Sequence, residues 1–322
     1  MEECASGRWK LADESQTRRR SGHSASIVED RMLIFGGNTG TPSNDVWEFD
    51  MSAGTWEMKE PLGEGPDERT YHSSVCYDRS MFVFGGAPAF PSFAKWGMGA
   101  GAGGGASKEL HRYELASDTW EKIETGGTMP SGRHGHSALI AGDSMFIFGG
   151  YNGSSNNDLF RLNMNTREWD ELKPQGACPC PRWRHAAVMH EGRMYIFGGN
   201  TRDTNSENLA DMHCYDLERN EWSETSCKGG IPCARHDHTL VRNDRGMLLF
   251  GGNVGGRKDP HVLNDMYEFD FRANTWLRVG VVPPVPDPRA GHTAIGVPGG
   301  MCVFGGDGKD HSKLADTWMF SC

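Results

Sequence analysis

Three arrangements of residues in this chain have types and spacing suited to chemistry. Gly99, Gly101 and Gly104, within GMGAGAGGG, fit G-x-G-x-x-G, the pattern of a loop that cradles a dinucleotide pyrophosphate. Cys178-Pro-Cys180 and the pair Cys227 and Cys233 offer four thiols, the number a zinc tetrahedron takes. Six Arg-x-x-His pairs begin at Arg20, Arg69, Arg133, Arg182, Arg235 and Arg289. They set six imidazoles beside six permanent cations, the raw material of general-base or metal chemistry. What each arrangement does depends on the element that holds it.

Those elements repeat. An apolar stretch ending in Phe-Gly-Gly recurs six times, with the aromatic at Phe35, Phe84, Phe148, Phe197, Phe250 and Phe304. Each Arg of an Arg-x-x-His pair stands 15 residues before its Phe. A Trp follows a turn at Trp56, Trp120, Trp169, Trp222 and Trp276. The third unit reads HSALIAG, SMFIFGG, NDLFRLN and REWDELK, four short runs rich in aliphatic and aromatic residues and bounded by turn formers. No stretch keeps a helical period. Four strands per repeat of about 50 residues describe a blade of a β-propeller. The sixth unit ends after three strands, and the missing Trp strand stands at the other end of the chain, as GRWKLAD around Trp9. The expectation is an all-β, six-bladed β-propeller of four antiparallel strands per blade, one domain over residues 1–322. Its N-terminal strand would complete the last blade and close the ring, protecting edges that would otherwise invite association.

The Arg-x-x-His, apolar-Phe-Gly-Gly, Asn-Asp and Trp signatures resemble kelch repeats, and the resemblance covers essentially the whole chain. Copies such as DRSMFVFGG are similar to the leucine-zipper-like regulator branch of kelch proteins. The resemblance implies a six-bladed propeller that recognises protein partners, often as the receptor arm of a cullin ubiquitin ligase. The BTB domain that such receptors carry is not among these 322 residues. A plant kelch branch that uses iron carries Glu-x3-Asp-x3-His; here Glu207-x3-Asp211 is followed by Tyr215, so the third ligand fails.

Against this frame the chemical motifs read differently. The glycine run falls between the second and third strands of blade 2, in an insertion of about 15 residues near 87–107. No helix follows it to cap a phosphate, so the fingerprint match is a by-product of low complexity. Phe90, Phe93 and Trp96 make it a flap with apolar anchors on the binding face. The paired glycines of each repeat are expected where the backbone turns close to a crowded axis. Repetition in every blade makes the Arg-x-x-His pairs structural, the guanidinium binding carbonyls at blade junctions and the imidazole tying one strand to the next. The Met three places before each Phe fills the core. Asp45, Asp158, Asp211, Asp265 and Asp316 open third strands and are expected to bond backbone amides there. The four cysteines remain open between free thiols and a zinc site.

Composition excludes several functions. With 33 Lys+Arg against 43 Asp+Glu the formal charge is −10, which disfavours a nucleic-acid partner; Thr17 to Arg20 is the only basic candidate. No run of 18 apolar residues predicts a membrane span, and MEECASGRWK has no apolar signal core. Nine cysteines without a signal read as reduced thiols of a cytoplasmic protein, or a nuclear one. No cofactor, resident metal or catalytic residue is expected, and the domain is expected to be a monomer. A propeller enzyme using a metal or small molecule in the central pocket is the alternative.

Recognition is expected on the face carrying the loops between strands two and three and the entry to strand one, where sequence varies while blades repeat. The first residue after each Phe-Gly-Gly lies there, including Asn38, Tyr151, Asn200, Asn253 and Asp307. The residues inside the Arg-x-x-His pairs start there too, including Tyr71, Trp183, Arg184 and His236, and Arg202 and Arg257 sit in nearby loops. A ring of Tyr71, Tyr151, Trp183, Arg184, His236 and Arg257 gripping a peptide or loop of a protein partner is the expected site, with types common at interface hot spots.

Overall fold

The computed structural model describes residues 6–15, 18–88, 105–201, 207–256 and 260–321. Its strands form six antiparallel blades, and no α-helix occurs among the described residues. The fold is a six-bladed β-propeller, and the chain divides into two compact units of three blades each.

One unit, Gly22–Lys173 with Cys180–Trp183, holds blades 1 to 3. Blade 3 consists of Ser137–Ala141, Ser144–Tyr151, Ser155–Asn163 and Glu168–Leu172, matching the four runs read from sequence. Two cores fill this unit. Leu33, Phe35 and Val46 of blade 1 interleave with Val83, Tyr113 and Trp120 of blade 2. Phe84 and Leu110 of blade 2 interleave with Met145, Phe160 and Trp169 of blade 3. The second strand of blade 2, Ser80–Phe84, is buried throughout, because blades 1 and 3 cover its two faces, and this is why its sequence is continuously apolar rather than alternating. The six methionines at Phe−3 are all buried, as core residues should be.

The other unit, Met1–Ser21, Pro174–Pro179 and Arg184–Cys322, holds blades 4 to 6. Here Ser6–Asp13 pairs antiparallel with Lys313–Ser321, Trp9 opposite Phe320. The N-terminal strand therefore completes the sixth blade as its fourth strand. Trp9 packs against Phe250 and Phe320, with ring centroids 4.9 and 5.1 Å away.

Each blade was expected to have four strands, and among the described residues the preceding linker adds a short fifth one to each of blades 2 to 6. Leu62–Gly63 runs parallel to Thr119–Ile123 on the outer edge of blade 2, and Gly126–Gly127, Gln175–Gly176, Lys228–Gly229 and Gly280–Val282 do the same for blades 3 to 6. Glycine is required at Gly63, where φ is +85° and a Cβ would stand 2.2 Å from the Trp120 carbonyl oxygen.

Candidate functional site

The Arg-x-x-His frame sets the geometry. Arg133 is fully buried; its Nε donates to the Ser131 carbonyl at 3.1 Å and its Nη1 to the Gly149 carbonyl at 2.9 Å. Its two terminal nitrogens grip both Asp158 oxygens, at 2.5 and 2.9 Å. Arg235 repeats this with Gly251 and Asp265, and Arg289 with Gly305 and Asp316. The carbonyl contacts match the sequence reading. The aspartates do not: Asp158, Asp265 and Asp316 pair with arginines rather than bonding amides in the adjoining turn. A buried guanidinium leaves a large desolvation cost that a bidentate carboxylate offsets. Asp45 accepts from the Ser43 hydroxyl and the Trp47 indole, and Asp211 bonds His213 Nε2 at 2.9 Å.

Blade 2 lacks that aspartate, and its Arg69 has Glu109 only at 3.7 Å. Burial pulls the Arg69 guanidinium below its ordinary value despite Glu109. Burial pulls on Arg235 as well, but the bonds and charge of Asp265 outweigh it and its value rises.

The histidines tie neighbouring blades. His136 Nε2 lies 2.7 Å from the Ser73 hydroxyl, and His292 Nε2 lies 2.9 Å from that of Thr239. His72 stands edge-on to Phe35, and burial, then the charge of Arg69, push its imidazole down to about 3. Burial lowers the His292 imidazole as well, so His72 and His292 are neutral members of the scaffold.

The double glycine serves two close approaches. A Cβ on Gly85 would meet the Arg133 carbonyl oxygen at 2.7 Å, and one on Gly86 would meet His72 Cβ at 2.8 Å. The Gly86 N–H donates to the Arg133 carbonyl at 2.8 Å, stitching blade 2 to blade 3.

On this frame stand the variable positions. The residue after Phe-Gly-Gly pairs with the first residue inside Arg-x-x-His: Tyr151 exchanges backbone bonds with His134, Asn253 with His236, and Asp307 with Ala290. The second residue inside each pair is left-handed: Gly22, Tyr71, Gly135, Arg184, Asp237 and Gly291 have φ between +54° and +64°. Their backbones link in series. Tyr71 N–H donates to Gly22 and Gly135 N–H to Tyr71 in one unit; Asp237 N–H donates to Arg184 and Gly291 N–H to Asp237 in the other. Glycine takes this conformation without strain, and a side chain there costs roughly 1–2 kcal/mol, less for Asp.

In the first unit the predicted residues form an aromatic patch. Trp183 lies 5.4 Å from Tyr151 and 5.7 Å from His134 between ring centroids. Trp183 is buried, so it backs the patch, and half-buried Tyr151 presents its surface. The Tyr71 ring lies over Gly22, 3.2 Å from where a Cβ would be. Asn38 is occupied in its own loop, accepting the Gly40 N–H at 2.9 Å.

In the second unit the predicted residues form a polar network. Arg184 Nη1 donates to Asp237 Oδ2 at 2.9 Å. Asn208 Oδ1 accepts from Asn200 Nδ2 and lies 2.8 Å from His236 Nδ1, while Asn208 Nδ2 donates to the Val254 carbonyl. Burial, with the Arg184 charge assisting, lowers the His236 imidazole against the pull of Asp237. Asn253 accepts the N–H groups of Gly255 and His261, shaping its loop. Asp307 pairs with Lys313, which also donates to Ser21. Arg202 and Arg257 lie outside the described residues, as do the glycine run 97–104 and Phe90, Phe93 and Trp96.

Asp237 and Asn208 were missed as site residues. Asp237 had a signal in sequence, because its place in the repeat holds Gly in three of six blades. Asn208 had none. Among the four cysteines, Cys180 and Cys233 meet Arg182 Nη2 and Arg235 Nη2 at 3.3 and 3.2 Å, the role Ser131 plays for Arg133. Among the described residues no group of three His, Cys, Asp or Glu is placed to hold a metal.

These repeated frames define a kelch-type propeller. The chain belongs to the kelch-repeat family: residues 3–199 and 194–322 match the family described as the KLHDC2/KLHL20/DRC7 Kelch-repeats domain. It is 30% identical over 314 residues to leucine-zipper-like transcriptional regulator 1 of Homo sapiens, covering 93% of this chain and 30% of that protein. It is 27% identical over 228 residues to kelch domain-containing protein 3 of Bos taurus, covering 67% of this chain and 45% of that protein. It is 30% identical over 301 residues to acyl-CoA-binding domain-containing protein 4 of Arabidopsis thaliana, covering 91% and 36%. The chain thus spans less than half the length of these curated relatives. The solved structure of YjhT superposes with a TM-score of 0.71 at 15% identity, over 95% of both chains, which supports the fold alone. No helix among the described residues is long and apolar enough to cross a membrane.

Proposed function

We propose that this chain is a protein-interaction module, without chemistry of its own, that holds a peptide or loop of a protein partner on the face carrying the Arg-x-x-His interiors and the post-glycine loops. Kelch propellers are commonly protein-interaction modules. The observation that carries the reading is the left-handed position. Three blades use glycine there, whereas Tyr71, Arg184 and Asp237 keep side chains in a conformation that glycine would take without cost. Strain retained where the fold does not need it is expected at a recognition surface. Tyr71, Tyr151 and Arg184 are also the residue types that dominate interface energetics. An adaptor or substrate-recognition role within a longer protein fits this reading, as does a single folded domain over residues 1–322.

The test is affinity capture from the native cell with wild type and with folded Tyr151→Ala and Arg184→Ala variants. A partner held by wild type and lost from both variants supports the reading. Unchanged capture by both overturns it. Stoichiometric iron, copper or zinc in purified protein would favour an enzyme instead.

A further inference from the structure

Hydrogen-bond chemistry fixes the tautomer of one imidazole on the rim. The Asn208 side-chain atom 3.0 Å from the Val254 carbonyl must be its nitrogen, because a carbonyl only accepts. The other end of that amide, Oδ1, is then an acceptor as well, and it lies 2.8 Å from Asn200 Nδ2 and 2.8 Å from His236 Nδ1. The His236 proton therefore sits on Nδ1. Burial, with the Arg184 charge assisting, keeps the ring neutral, so Nε2 carries a bare lone pair. That nitrogen makes no hydrogen bond with the described residues and keeps contact with solvent. It stands 3.7 Å from Asp237 Oδ2, which takes the Arg184 Nη1 hydrogen at 2.9 Å.

Two acceptors thus stand side by side, with no donor between them among the described residues. Blade 5 alone sets an imidazole beside a carboxylate at the two positions inside Arg-x-x-His, so the repeat does not require the pair. Asp237 also keeps its side chain at a φ of +56°, where three blades have glycine. We infer, resting on the recognition face proposed above, that these two acceptors hold the carboxamide of an Asn or Gln side chain in the partner segment. A carboxamide nitrogen offers two hydrogens, and a position ~2.9 Å from both acceptors is compatible with their 3.7 Å separation. A lysine or arginine would also donate, but Arg184 already answers the Asp237 charge and repels a second cation. A carboxylate in the same place has no hydrogen to give and leaves both acceptors covered and unpaired. That cost is what lets the pair tell Gln from Glu, or Asn from Asp.

The test is selection of random phage-displayed peptides on the whole purified chain, followed by binding curves for those recovered. Peptides weakened by Tyr151→Ala or Arg184→Ala report on the rim, and they should share an Asn or Gln. Changing that residue to Asp or Glu should raise the dissociation constant about tenfold. His236→Asn keeps a donor for Asn208 and removes the Nε2 lone pair. With a melting curve matching wild type, it should cost the same factor, and cost nothing for a peptide whose amide is already replaced by leucine. Nitrogen-15 spectra of histidine-labelled wild type should show His236 protonated at Nδ1. Rim-dependent peptides with no recurring amide, an amide indifferent to His236→Asn, or a proton on Nε2 would each overturn this inference and leave the recognition face standing. A library that yields no rim-dependent peptide overturns the recognition face and the inference with it.

Discussion

The rim residues of the first unit and those of the second use one backbone arrangement and opposite side chains. In the first, the left-handed series of Gly22, Tyr71 and Gly135 adjoins an aromatic patch of His134, Tyr151 and Trp183. In the second, the series of Arg184, Asp237 and Gly291 carries an ion pair and an Asn–His network. The buried Arg-x-x-His frame recurs beneath both, with Arg133 and Arg235 gripped alike and only Arg69 of blade 2 lacking its aspartate. A repeated scaffold therefore fixes where side chains stand and leaves their chemistry free to differ, one region suited to apolar contact and the other to charge and hydrogen bonding.

The largest way to break this comparison is to remove the frame. Arg133→Met and Arg235→Met should each destabilise by about 2–4 kcal/mol, because each leaves two backbone carbonyls and a half-buried carboxylate without their partner. Urea denaturation should show similar losses for both regions, and a loss confined to one would mean that the frames are not equivalent. Arg69→Met should cost less, roughly 1–2 kcal/mol, because Glu109 stands 3.7 Å away and keeps Lys122 as a partner.

Acid should weaken both regions together. His72 is held down to about 3 and His111 to about 4, each chiefly by burial, while His238 and His292 lie well below the ordinary value for the same cause. In the unfolded chain a histidine takes its proton near pH 6.5, so below that pH the unfolded state binds more protons than the folded one. Stability is complete above about pH 6.5 and falls as pH drops, by about 1.4 kcal/mol per pH unit for each fully neutral buried imidazole. Asp316 acts in the same direction: burial raises its carboxyl, but Arg289 outweighs burial and holds it low, so acid removes that contribution too. Denaturation midpoints at pH 7.5 and 5.5 check the sign, and a protein more stable at pH 5.5 would contradict it.

The smallest effects sharpen the left-handed series. Gly135→Ala and Gly291→Ala should each cost about 1 kcal/mol, since the new side chain meets a strained φ. Tyr71→Gly should change stability by about 1 kcal/mol or less, relief of strain opposing the lost ring contact with Gly22. Melting temperatures of the three variants separate these outcomes.

The blades were legible because their signals are local: Phe-Gly-Gly, the Trp turn and the 15-residue spacing each lie within one repeat. So was closure, since DTWMF at one end and GRWKLAD at the other are complementary halves of a blade. The partners of Arg133 and Arg235 were not legible, because Asp158 and Asp265 stand 25 and 30 residues away and an Asp before a strand equally fits a turn bond. The rim was legible in position but not in availability. Asn38 and Asn253 stand where expected, yet their oxygens are taken by loop amides that sequence does not reveal.

The most direct test of the recognition face strips its side chains and leaves its backbone. The triple variant Tyr71→Gly, Arg184→Gly and Asp237→Gly installs at all six left-handed positions the residue that three already have. Affinity capture from the native cell should then be compared with wild type at equal protein and salt. The prediction is a variant that melts within a few degrees of wild type and no longer retains the partner. A folded variant that captures the same partner to the same extent would contradict the account.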